Sequence, residues 1–273
     1  MSDEVALTDE LFGRFSVLLA EKTGIALKEY KKYLVVSRLA SLVGPGKRFL
    51  TFDSYYHALR TETDGAWTQA FINALTTNYS FFFRDPIHFK LLEQYLRERG
   101  PAEPYLRFWS AASSTGEEAY SMAMTVANHV GALPSDCKIL ATDISTKVLS
   151  QAEEGLYGSE AVVKNVTHED QMKYFEPWDE GRKFRIKDRL RERVDFRQLN
   201  LQKEYPFRKK MDVIFLRNVM IYFGPQEKAD VVDKMYAHLK PGGLMVIGLS
   251  ESLAGIQHRF VSYKNSIFRK PGP

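Results

Sequence analysis

From Tyr105 onward, short apolar runs alternate with helical patterns, and each run closes on small or polar residues. That alternation restricts the second part of the chain to a mostly parallel sheet wrapped in helices. Leu106–Trp109 reads as a strand, followed by small residues over 110–116 and a helix from Glu117 to about Val130. Lys138–Thr142 is a second strand closing at Asp143, with a helix over Thr146–Glu154. Asp212–Leu216 is a further strand, Pro225–Leu239 a helix, and Leu244–Gly248 a strand after the turn Lys240-Pro241-Gly242-Gly243. Phe260–Arg269, with Lys264-Asn265 at its centre, reads as a terminal hairpin.

Two stretches depart from this rhythm. Residues 8 to about 75 carry helical spacing: Leu11, Phe15, Leu18 and Leu19 after a capping Thr8, then Leu27–Val43 stopped by Gly44-Pro45-Gly46, then Phe52–Arg60 and Gly65–Leu75. They predict a small all-helical unit. Between Tyr157 and Leu201, a helical piece near His168–Phe175 leads to a turn at Pro177–Arg182, an alternating run Lys183–Lys187 and a strand at Val194–Arg197. This reads as a small antiparallel insertion over about 172–197. The expected division is a helical domain with its linker over 1–85 and an α/β domain over 86–273.

Composition narrows the chemistry. Cys137 is the single cysteine and the six histidines are scattered, so neither an internal disulfide nor a zinc site is expected, and no metal is assigned. The polar, acidic start over Met1–Glu10 is not a signal peptide, and no apolar run reaches ~20 residues, which leads to the expectation of a cytoplasmic protein without membrane insertion. The net charge of +4 is too mild to argue nucleic-acid binding. The charge is clustered, however: Lys22–Arg48 holds seven Lys/Arg against Glu29, and Arg182–Arg197 holds eight against three acids.

Four segments carry the chemistry. In an open parallel sheet, ligands sit beyond the carboxyl ends of the strands. The loop Ser110–Glu118 lies there, with one glycine, no lysine, and the carboxylates Glu117 and Glu118. Carboxylates repel phosphate and suit a cation, so the loop fits S-adenosylmethionine, with its sulfonium, ammonium and ribose hydroxyls, better than a nucleotide. The same acids also suit a helix N-terminus. Asp143, at the end of the second strand, is placed to hold a ribose diol or to cap the following helix. In Leu216–Phe223 the polar pair Arg217-Asn218 interrupts apolar residues at a strand end, with Tyr222 in the loop beyond. Asn78–Asp85 sets Phe81, Phe82 and Phe83 between polar groups, with Arg84 able to grip an acceptor carboxylate.

In this order, Asn78–Asp85, Trp109–Ser121, Ala141–Ser145 and Arg217–Phe223 resemble the CheR family of chemotaxis receptor methyltransferases, over nearly the whole chain. The resemblance implies a Rossmann-like methyltransferase sheet with a helical N-terminal domain and a small antiparallel β insertion. It implies S-adenosylmethionine as cofactor, S-adenosylhomocysteine as product, and methyl esterification of glutamates in the cytoplasmic signalling region of chemotaxis receptors. Carried onto this chain, Asn78, Ser80, Arg84, Glu117 or Glu118, Asp143, Asn200, Leu201, Arg217 and Asn218 would border the cofactor. Arg84 and Tyr222 would serve the transfer. Lys28, Lys31, Lys32 and Arg38 would meet an acidic receptor helix, since on a helix they fall within an arc of roughly 120°. Ser80 stands where the family usually has Thr, and Ala119 where it often has Pro. The turn at Pro177–Arg182 is slightly shorter than in members that use a receptor tether peptide, so no tether is expected. A glutamate nucleophile, with a pKa near ~4.3, needs no general base. The chain is expected to act as a monomer without nucleic acid. The competing readings are a methyltransferase for RNA or a small molecule, and a non-catalytic cofactor-binding scaffold.

Overall fold

The structure is a computed structural model that describes residues 6–99, 105–130 and 137–272. Two compact units emerge: residues up to Thr77 together with Tyr222–Glu227, and Asn78–Ile221 with Lys228 onward. Asn78–Asp85, grouped by sequence with the helices as a linker, thus clusters with the sheet unit.

The first unit holds α1 (Asp9–Thr23), α2 (Lys32–Leu39), α3 (Phe52–Thr61) and α4 (Ala66–Leu75). Thr8 caps α1 by accepting the Leu11 N–H at 3.2 Å, and Gly24 ends it in the left-handed conformation that glycine adopts without cost. Phe15, Leu19, Val35, Leu39, Tyr55 and Phe71 are buried together, and Phe15 meets Phe52, Tyr56 and Phe71 at ring separations of 6.4, 5.4 and 5.5 Å. The returning segment joins this unit through Phe223, bridged antiparallel to Ile25. The helix expected over Leu27–Val43 is shorter than its pattern. A 3-10 turn at Glu29–Lys31 precedes α2, and Tyr30 and Tyr33 stay exposed, so no apolar face holds the first turn in register.

The second unit opens with α5 (Pro86–Arg99). Its main sheet uses β1 (Arg107–Ala111), β2 (Lys138–Asp143), β6 (Val194–Gln198), β7 (Met211–Leu216), β8 (Leu239–Ile247), β9 (Val261–Lys264) and β10 (Ile267–Arg269). The spatial order is β6-β2-β1-β7-β8-β10-β9. The first five positions pair parallel and the terminal hairpin is antiparallel. The main helices between strands are α6 (Glu117–Val130), α7 (Thr146–Glu154) and α11 (Pro225–His238). Every residue of β7 is buried, as expected of a central strand covered on both faces.

A second sheet, order β3-β5-β4, is antiparallel: β3 (Leu156–Gly158), β4 (Phe175–Trp178) and β5 (Lys183–Ile186). Short helices α8 (Ser159–Asn165) and α9 (His168–Tyr174) lie within it in sequence, and α10 (Asp188–Arg191) follows. The strand assigned from sequence to this insertion, Val194–Arg197, lies elsewhere. It is β6, paired parallel with β2 from Ile139↔Val194 to Asp143↔Gln198. Val194 and Phe196 supply a buried face for the main core, while Asp195 and Arg197 remain exposed, the pattern of an edge strand.

Topology fixes where the loops that carry the candidate residues emerge. The chain runs outward from β1 through β2 to β6, then crosses back to β7 and β8 on the other side of β1. The reversal falls between β1 and β7, the position at which such sheets open a crevice. Register then aligns the strand ends: Ala111 pairs with Thr142 and Leu216, and Leu216 with Ile247. The residues that follow each strand therefore emerge side by side.

Candidate active site

Backbone strain marks this sheet edge. Among the described residues, eight non-glycine positions have positive φ, and five of them are Phe83, Asp85, Ala112, Ser114 and Asn218. Such conformations cost energy and persist where surrounding structure holds them, which is common at functional sites.

The loop after β1 is locked from three directions. Ser113 N–H donates to Thr142 O at 2.8 Å, Ser114 N–H to Asp143 Oδ2 at 2.9 Å, and Tyr157 Oη to Thr115 O at 2.7 Å. Gly116 ends the loop at φ 93°, and a Cβ there would lie 2.8 Å from that of Ala152. Only glycine fits this turn. Asp143 ties this loop to the next, because its Oδ1 accepts the Ser145 N–H at 2.9 Å. Burial raises its pKa, and the backbone donors at Ser145 and Ser114 oppose that rise. Leu199 N–H donates to Asp143 O at 2.9 Å, which brings the segment after β6 to the same edge. There Asn200 closes a turn by accepting the Gln202 N–H, and buried Leu201 gives its carbonyl to Tyr205 and Lys234.

The structure separates the two glutamates that sequence left equivalent. Glu118 is committed: Ser110 Oγ donates to it at 2.7 Å and Arg217 at 2.9 Å. Glu117 accepts the Thr115 hydroxyl, at 2.7 and 2.9 Å, and its own backbone N–H, and among the described residues no cation pairs with it. Burial raises the pKa of both, and Arg217 pulls Glu118 back down.

Arg217 is the hub of the site. Its side chain is 1% exposed and donates to Glu118, to Asp85 Oδ2 at 2.6 Å, and to Arg84 O at 2.7 Å. It binds the segment before α5 to the end of β7 and the first turn of α6, and its charge is met by two carboxylates. Arg84 is different. Its guanidinium rests on Tyr79 O at 3.2 Å, within 6 Å of the Tyr79 and Phe81 rings, and among the described residues no ion pair engages it. Phe82, in contrast, is buried against Tyr157 and Phe175, and Phe83 N–H donates to Ser121 Oγ. Asn78 and Ser80 are half-buried on the same segment. Asn218 follows Arg217 at φ 57°, its N–H held by Glu251, which sequence reasoning did not identify.

The other candidates lie in the first unit. Tyr222 closes a 3-10 turn, its carbonyl accepts the Ala26 N–H at 3.0 Å, and Lys31 Nζ lies 5.9 Å from its ring centroid. Lys32 pairs with Asp9 at 2.6 Å, and Lys28 precedes the 3-10 turn. Arg38 does not join an exposed basic row. It donates to Leu75 O and Thr76 O, both at 2.9 Å, and so caps the carboxyl end of α4.

The sheet edge of the second unit can be tested for what it would hold. The hydroxyls of Ser113, Ser114 and Ser145 are buried without partners among the described residues. Unpaired buried hydroxyls are costly and call for a ligand or water. With the carboxylates of Asp143 and Glu117, they form a donor set suited to a cationic ligand carrying hydroxyls. Phosphate would meet the carboxylates of Asp143 and Glu117.

The comparisons agree. The family model described as CheR methyltransferase, SAM binding domain, matches residues 78–268, and that described as CheR methyltransferase, all-alpha domain, matches residues 10–76. A chemotaxis protein methyltransferase of Escherichia coli is 38% identical, covering 98% of this chain and 93% of its own. Chemotaxis protein methyltransferase 1 of Vibrio cholerae is 38% identical over 94% of each chain. Chemotaxis protein methyltransferase Cher2 of Pseudomonas putida is 34% identical over 91% of this chain and 92% of its own. The chain belongs to the CheR family of S-adenosylmethionine-binding chemotaxis methyltransferases.

Proposed function

We propose that the chain methylates glutamate side-chain carboxylates in the signalling region of chemotaxis receptors, acting in the cytoplasm as a protein-glutamate O-methyltransferase. The observation that carries this reading is Arg84. It is the guanidinium of the 78–85 segment, its backbone is pinned by Arg217, and no carboxylate of the described chain occupies it. A positioned arginine recognises an acceptor carboxylate with geometric precision.

Bound S-adenosylmethionine supplies an electrophilic methyl group on its sulfonium. Glu117 and Asp143, with the unpartnered serine hydroxyls, are the groups that would seat it. The incoming glutamate is ionised at neutral pH, so the protein has no proton to remove. The nearby histidine agrees with that. His88 is buried, bonded to Ser266 Oγ at 2.8 Å, and lowered to about 4, first by burial and then by Arg217. What remains is alignment of oxygen and methyl, which can supply roughly 7–11 kcal/mol. The arginine must not hold the ground state more tightly than the transition state, because uniform binding does not speed the step.

The deciding experiment is incubation with labelled methyl donor and receptor-bearing membranes. Base-labile label on receptor protein is the expected result. Label in RNA or in small molecules, or cofactor binding without turnover, would favour the alternatives.

A further inference from the structure

Beyond β7 and β8 the chain makes two sharp exits, and one carboxylate binds both. Glu251 Oε2 accepts the Asn218 N–H at 2.8 Å and the Gly248 N–H at 2.7 Å. The Glu251 N–H returns to Gly248 O at 2.9 Å, so residues 248–251 form a closed turn whose last side chain folds back on its first residue. Oε1 is buried without a partner among the described residues. Gly248 is buried, and a Cβ there would sit 2.7 Å from Asn218 Nδ2 and 2.8 Å from Glu251 Oε2. Asn218, Gly248 and Glu251 are thus mutually packed, and Asn218 is held at φ 57°.

We propose that Glu251 is a positioning residue for the methyl-donor site: it fixes the backbone of Asn218 so that the Asn218 side chain stands at the mouth of the sheet. The inference rests on the reading that Asn218 borders the cofactor. The physical logic is local. The left-handed region is uncommon for a non-glycine residue, and bonds to its backbone help to hold it there. Here the compensation is a bond from its own N–H to a side-chain oxygen, Glu251 Oε2. The oxygen that supplies it is fixed in turn by the neighbouring strand exit. Gly248 is required because any side chain would displace either Asn218 or the carboxylate.

The test is S-adenosylhomocysteine binding by calorimetry, well below the melting temperature, for Glu251→Ala, Glu251→Gln, Gly248→Ala and Asn218→Ala in the full chain. Glutamine retains an acceptor oxygen for the two N–H groups, so Glu251→Gln is expected to bind within about threefold of the parent. Glu251→Ala and Gly248→Ala are expected to lose about tenfold or more, the scale of one lost hydrogen bond. Amide resonances of Asn218 and Gly248 should shift in Glu251→Ala. A Glu251→Ala protein that melts earlier yet binds normally would show a purely structural role and overturn the proposal. So would a Glu251→Gln protein as weak as Glu251→Ala, because charge rather than position would then matter. If Asn218→Ala binds normally, the reading of Asn218 itself fails. If Asn218→Ala weakens binding and Glu251→Ala does not, only the role of Glu251 fails.

Discussion

Arg217 and Asp85 meet at 2.6 Å, although 132 residues separate them in sequence. Together with Glu118 they form a charge cluster around a buried guanidinium at the sheet edge. Removing the arginine strands two carboxylates that, among the described residues, form no other ion pair. Arg217→Ala is therefore expected to cost about 3–5 kcal/mol, the range for breaking a buried pair from one side. Urea unfolding of the variant measures it, and a loss below 1 kcal/mol would mean that the cluster is solvated.

Glu117 and Glu118 differ in what neutralisation removes, because only Glu118 pairs with Arg217. Burial raises the Glu117 pKa, so its charge opposes folding: its contribution is most favourable below the ordinary glutamate range and is lost as pH rises through the folded value. Glu117→Gln is expected to be no less stable than the parent at neutral pH and to bind S-adenosylmethionine more weakly. Glu118→Gln removes one of the two carboxylate partners of Arg217, and its unfolding midpoint should fall. Paired denaturation and calorimetry curves decide the assignment.

His88 gives the fold an acid sensitivity. Its folded pKa of about 4 lies below the ordinary value of 6.5, so the unfolded chain binds the extra proton between those two pH values. Stability from this group is fully present above pH 6.5 and is lost as pH falls toward 4. His88→Gln keeps a polar side chain of similar reach and cannot titrate. Its melting temperature should decline less between pH 6.5 and 4 than that of the parent.

Arg84→Ala should lower kcat for receptor methylation by about a hundredfold, the scale on which misplacement of a reacting group is felt. Arg84→Lys should recover part of that loss, because lysine restores charge without the planar fork. Unchanged methylation by Arg84→Ala would remove Arg84 from the reaction.

The basic residues of the first unit make a prediction about salt. If Lys28, Lys31 and Lys32 steer an acidic receptor helix, methylation should weaken from low to physiological ionic strength, with a Debye length near 8 Å at the latter. S-adenosylhomocysteine affinity should stay constant. Kinetics at three salt concentrations separate the two.

The sheet, the helical unit and the positions of Asp143 and Arg217 at strand ends were legible because each depends on local pattern. β7 announces itself as an apolar run, and Asp143 and Arg217 as the first charged residues after one. β6 was misassigned because alternation shows that a strand has one buried face without showing which sheet supplies it. α5 received no reading, although Pro86 at its first turn and the buried Phe89, Leu92, Tyr95 and Leu96 carry the helical spacing. Arg38 looked like a surface cation because the carbonyls it binds lie 37 and 38 residues away. Glu251 was invisible for a related reason: its partner N–H at Asn218 is 33 residues back in the chain. A carboxylate's destination is set by tertiary structure, and no periodicity encodes it.

The level termination of β1, β2, β7 and β8 has a consequence for how this protein can vary. Each strand advances about 3.3 Å per residue and alternates its faces. Deleting one residue inside any of the four would retract its outgoing loop by roughly that distance and exchange the inward side chains for the outward ones. Contacts such as Ser114 to Asp143, made at 2.9 Å, have no slack to absorb such a step. Length changes in descendants of this sequence should therefore accumulate in the connecting segments, while the number of residues within these strands stays constant.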